Sequence, residues 1–145
     1  MFVAAAPAEA ASGCHSAGFN RSIVTDVNQA GTGYIYTTFP AYYCAAYQSA
    51  HLYSWVPGGG VYSTNRILNS GQSWFICQIV IDSSIKNPPV GSALNDYWLY
   101  TESDTHPAGD SAYGWFPANK ISGGGNYQAI PGLPICQQPK IPLSF

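Results

Sequence analysis

"NDYWLYTESDTHPAGDSAYGWFPANKIS", residues 95–122, decides how this chain is read. Two aromatic runs, YWLYT (97–101) and YGWFPA (113–118), flank the polar stretch ESDTHPAGDSA. Aromatic and β-branched residues favour extended backbone, whereas Gly, Pro, Asp and Ser favour turns. The segment therefore reads as a β-hairpin with an enlarged loop, its returning strand stopped at its own edge by Pro117. Alternation along a strand puts Trp98 and Tyr100 on one side, and Tyr97, Leu99 and Thr101 on the other. Trp74, Trp98, Trp115 and Phe116 are expected in the core.

The loop also holds groups that could do chemistry. Ser103, Asp104 and His106 lie within four residues, but a nucleophile, its base and an orienting group usually converge from different elements. No GxSxG elbow accompanies them. Glu102, Asp104, His106 and Asp110 offer oxygen and imidazole ligands, yet they lack the glycine turn and twelfth-position Glu of a calcium loop. A solvated connection between two strands accounts for the composition best, and no cofactor or metal is expected.

Working outward, further strands are expected at GYIYTTF (33–39) and SWFICQIVI (73–81), with weaker candidates at SIVTDV (22–27), GVYST (60–64) and KIS (120–122). VPGGGV, NSGQ and SGGGN mark turns, and the two prolines of KNPPVGS end the long strand. No stretch of a dozen residues keeps a helical apolar period. Short strands with frequent turns build an all-β barrel or sandwich.

At 145 residues the chain is long enough for one domain with its own core. Five Lys and Arg residues scattered along the chain, with a net charge of -2, give no footprint for a phosphate backbone, so nucleic acid is excluded. The Ala-rich start is too short to span a membrane. Its Ala-Glu-Ala pattern at 8–10 resembles the end of a secretory signal, so residues 1–11 read as a signal remnant or a disordered N-terminus. Four cysteines at wide spacing, Cys14, Cys44, Cys77 and Cys136, suit two disulfides in an oxidising compartment, hence a secreted protein. Of three pairings, Cys44 with Cys77 and Cys14 with Cys136 is preferred, because the second bridge would tie both ends to the domain. Residues 137–145 read as a flexible tail.

RILNSGQSWFICQ, NDYWLYTESD, GWFPANKISGGGNYQ and IPGLPIC together resemble the secreted SH3-like (SH3b) domains of actinobacteria. The resemblance is good over 66–136 and loose from Gly31 onward. It implies a small, partly open SH3-like barrel spanning 12–136 (core match 31–123); the Pro-rich, aperiodic stretch after Gly123 is expected to lie over that barrel as an extended C-terminal tail pinned at Cys136. The chain departs from that pattern at 41–65, AYYCAAYQSAHLYSWVPGGGVYSTN, where relatives carry a short turn and this chain carries an enlarged aromatic loop. The family implies a non-catalytic module recognising cell-wall peptidoglycan or an extracellular protein.

Aromatics with polar handles are enriched at interfaces. Tyr42, Tyr43, Tyr47, Tyr53 and Trp55 of the 41–65 stretch, with Asp104 and His106 of the 102–110 loop, are therefore the expected binding residues. Two other classes compete. Low charge with Tyr, Gly and edge strands would suit a structural or self-assembling surface component. A small secreted hydrolase or inhibitor is the third.

Overall fold

The computed structural model describes residues 13–27, 29–56 and 60–137. The expected signal remnant at 1–11, and all but Gln137 of the expected tail, lie outside them. Eight strands follow in order: β1 (Cys14–Val27), β2 (Tyr34–Ala46), β3 (Ala50–Val56), β4 (Gly60–Leu68), β5 (Gly71–Phe75), β6 (Cys77–Val80), β7 (Tyr97–Glu102) and β8 (Tyr113–Pro117). A single 3-10 turn, Ala118–Lys120, follows β8, and the described residues contain no α-helix. The strands form two antiparallel sheets, β1-β2-β5 and β4-β3-β8-β7-β6, which do not close into one barrel.

The 95–122 segment is the hairpin its pattern predicts, and it holds the middle of the larger sheet. Leu99 faces Phe116 across the β7–β8 ladder, and Tyr100 faces Trp115. Alternation sends Leu99 and Phe116 into one apolar cluster with Leu52, Leu68, Phe75 and Ile130. It sends Trp98, Tyr100 and Trp115 into a second, with Ile23, Ile76 and the Cys77–Cys136 bridge. The hairpin is covered on both faces, and each fully buried large side chain contributes about 1.5–3 kcal/mol of burial free energy. β3 crosses β8 at the Tyr53↔Trp115 pair. Only glycine fits beside that crossing: a Cβ on Gly114 would stand 2.8 Å from Leu52 Cβ and 3.1 Å from the Tyr53 carbonyl oxygen.

The 41–65 stretch is not a loop. Its residues form the end of β2, all of β3 and most of β4. Leu52, Ser54 and Ala50 are buried. What looked like added loop is a hairpin that completes the larger sheet. The weak candidate at 120–122 is the end of the 3-10 turn and a single bridge, Ala46↔Ile121.

The disulfides also differ from expectation. Cys14 bonds to Cys44 and Cys77 to Cys136, with Cα separations of 4.4 and 4.9 Å. Cys14 and Cys44 are direct partners in the β1–β2 register, whereas Cys44 and Cys77 belong to different sheets. Each end of the domain is therefore tied separately, the N-terminal one to β2 and the C-terminal one to β6. Closing loops of 30 and 59 residues is worth about 4 kcal/mol apiece in the chain-entropy account.

Beyond the 3-10 turn the chain crosses back over the sheets without regular structure, as its Pro-rich composition predicts. Gln78 pins it. This fully buried side chain donates from Nε2 to the Ile130 and Leu133 carbonyls, each at 2.8 Å, and accepts from the Ile130 N–H at 2.8 Å. The Gln78 backbone bonds Pro134 and Cys136 on the same segment.

Candidate functional site

The seven residues expected to bind do not gather on one surface. Tyr42 faces the first apolar cluster and lines a shallow groove with Phe39, Ile76 and Ile135. Tyr47 is exposed at the turn after β2, where its hydroxyl donates to the Asn119 carbonyl. Tyr53 lies half-buried with its ring 5.1 Å from Trp98, and burial raises its phenol pKa. Trp55 is half-buried and stands across from Val61 on β4. His106 is exposed on the β7–β8 loop.

Tyr43 and Asp104 do come together. Both line a cleft of about 140 Å³ with Leu68, Gln72, Trp74 and Glu102. Three elements build it. β2 presents Tyr43, whose neighbour in register on β5 is Trp74 and on β1 is His15. Phe19 meets the Tyr43 ring edge-on at 5.7 Å. The Arg21 guanidinium stands 5.0 and 5.1 Å from the centroids of the Phe19 and Trp74 rings, a cation–π arrangement with both. The opposite wall is the start of the β7–β8 loop. There the Asn69 N–H donates to the Asp104 carboxylate at 2.8 Å, and the Asp104 and Thr105 N–H groups both donate to the Ile67 carbonyl.

The cleft thus has two aromatic rings, an amide and two carboxylates, with an arginine against the indole. Gln72 was not singled out by sequence reasoning, Trp74 was expected in the core but is only partly buried, and Glu102 was weighed only as a metal ligand. Gln72 and Trp74 sit two apart on β5, so strand alternation carried the signal, but only the β2–β5 register brings them beside Tyr43.

The far end of the same loop is organised by Arg66, a buried residue on β4. Its Nε and Nη2 donate to the two Asp110 oxygens at 3.1 and 2.8 Å, and its Nη1 donates to the Tyr113 carbonyl at 2.9 Å. The Arg66 hydrogen bonds hold the Asp110 carboxyl below the usual carboxylate range, aided by the Ser111 N–H. Tyr113 stacks parallel on Tyr100 with 6.2 Å between centroids. Burial, reinforced by the Glu102 carboxylate and Tyr36, pushes its phenol pKa up.

The loop groups weighed as a catalytic set are not hydrogen-bonded to one another. Ser103 Oγ is buried with no hydrogen-bond partner, Asp104 is engaged by Asn69, and His106 is exposed. Among the described residues no three His, Cys, Asp or Glu side chains are grouped to hold a metal, and no helix is long and apolar enough to cross a membrane. Compared with known proteins, the chain matches no family model, no curated protein and no solved structure.

Proposed function

We propose that this protein is a secreted, non-catalytic recognition module of the bacterial SH3-like kind, and that its target is cell-wall peptidoglycan. The observation that carries the reading is the cleft in which Tyr43 and Trp74 stand beside Glu102 and Asp104. Rigid aromatic walls supply contact area at little entropic cost. Carboxylates beside them accept from amino and hydroxyl groups, which wall peptides and sugars present in quantity. Two disulfides among four cysteines suit an extracellular setting. Ser103 Oγ has no hydrogen-bonded base and the Asp104 carboxylate is engaged by Asn69, which favours binding over catalysis.

A self-associating surface component is the second reading. β1 is a long edge strand, and Tyr34, Ile35 and Tyr36 beside it are exposed, which are features that invite strand addition between copies.

Cosedimentation of the oxidised protein with insoluble peptidoglycan, beside a protein-only spin, tests the reading. Pelleting only with the wall is expected, weakened in a Tyr43→Ala, Trp74→Ala variant. Pelleting without the wall would replace recognition by self-assembly. Solubility in both tubes would reject the wall and leave a protein partner.

A further inference from the structure

The β1–β2 arm presents a second cleft, at the far end of the β7–β8 loop. Tyr34 and Tyr36 stand two residues apart on β2, 62% and 60% exposed, and so project from the same strand face. They are about 7 Å apart along the strand. With Val24, the register partner of Tyr36, they form one wall of a cleft of about 340 Å³ whose other wall is residues 109–113.

That second wall is held rigidly. Arg66 fixes Asp110 and the Tyr113 carbonyl together, and Tyr113 is stacked on the buried Tyr100. Two properties of the wall narrow the ligand. First, Arg66 offsets the Asp110 charge, and Glu102 and Arg21, of opposite sign, both act on Tyr113, so the wall favours neither sign of a strongly charged partner. Second, a carboxylate offers about four acceptor positions. Arg66 Nε and Nη2 and the Ser111 N–H use three, which leaves about one for a ligand hydroxyl on a side chain still 34% exposed. Exposed tyrosine rings in series beside a neutralised acceptor match a pyranose chain, whose C–H faces stack on phenol rings while its hydroxyls donate to the carboxylate.

We propose that this cleft binds a neutral pyranose chain, the sugar strand of the wall. The proposal rests on the wall-recognition reading and assigns the sugar to Tyr34, Tyr36 and Asp110, leaving the more acidic Tyr43–Trp74 cleft for amino-bearing peptide. Arg66 is a positioning residue here, acting through Asp110.

The test is titration of the oxidised protein with chitohexaose, followed by calorimetry and by the tyrosine ring signals in NMR. Binding is expected with shifts of the Tyr34 and Tyr36 rings. Tyr34→Ala, Tyr36→Ala should lose about tenfold or more in affinity at an unchanged melting temperature, and Tyr34→Phe, Tyr36→Phe should retain binding. Equal affinity of the alanine variant, or ring shifts confined to other tyrosines, overturns the assignment. Failure to bind chitohexaose while the wall still pellets the protein overturns the sugar site and spares the recognition reading. Failure with both overturns both.

Discussion

Arg66 and Asp110, 44 residues apart in sequence, form a two-pronged ion pair in which the arginine is buried and the carboxylate is one-third exposed. The asymmetry sets what each substitution does. Removing Asp110 leaves a buried guanidinium without its carboxylate, whereas removing Arg66 leaves a carboxylate that water can reach. Asp110→Ala should cost about 1–3 kcal/mol, less than a fully buried pair would, and Arg66→Met should cost less than Asp110→Ala. Urea midpoints of the two variants decide this. Equal costs, or a larger one for Arg66→Met, would mean that packing of the arginine stem dominates the pair.

The same pair makes stability depend on acid. The folded Asp110 carboxyl is held below its ordinary range by Arg66. Its contribution is therefore complete above the unfolded carboxyl value, near about pH 4, and is lost as pH falls through the lower folded value. Melting curves of wild type and Asp110→Asn should lie apart at neutral pH and converge in stronger acid. A gap that persists unchanged to the lowest pH would show that the ionised pair is not its source.

Tyr100 carries a hydroxyl that is buried without a hydrogen-bond partner, between the Tyr113 and Trp115 rings. Burial drives its phenol pKa far above the ordinary value. A buried unpaired polar group costs about 1–3 kcal/mol, so Tyr100→Phe should leave the fold intact and raise its stability by about 1 kcal/mol. Destabilisation on chemical unfolding would mean that this hydroxyl has a partner, such as a trapped water.

Gln78 is the hinge pin of the returning segment. Gln78→Leu keeps the apolar volume but strands the Ile130 N–H and two carbonyls, and should cost about 3–5 kcal/mol at roughly 1–3 kcal/mol per group with some relaxation. The Cys77–Cys136 bridge holds the far end. Hydrogen exchange should therefore accelerate mainly over 122–135, while β7 and β8 stay protected. Uniform acceleration throughout would show that this segment unfolds only with the whole domain.

The central hairpin was legible because its signal is local. YWLYT alternates, and its two faces feed the two apolar clusters as the pattern requires. Other strands were hidden by composition. CHSAGFNR, the start of β1, reads as polar and broken by Gly18, yet it pairs along an edge where polar side chains meet water. Pro40 sits inside β2 beside an irregular step in the ladder between Ser16 and Asn20, where a missing N–H is tolerated. AHLYSWV is followed by the turn signal PGGG, but the resemblance placed it inside an enlarged loop, and only its pairing with β4 and β8 shows it as a strand. The disulfide pairing depended on strand register, which composition does not encode. The site was legible only in part for the same reason: Tyr43 and Asp104 were named, but the residues that join them, Trp74, Gln72 and Glu102, are brought there by pairing between strands. Arg66 looked like one scattered base among five, and its burial is a tertiary fact.

Amide shift mapping with a soluble disaccharide-peptide fragment of peptidoglycan tests the recognition claim most directly. The account predicts saturable shifts concentrated at Tyr43, Gln72, Trp74, Glu102 and Asp104, spreading across the loop toward Asp110. Shifts confined to the Tyr42 and Ile135 groove, or no shifts at any fragment concentration, would contradict it.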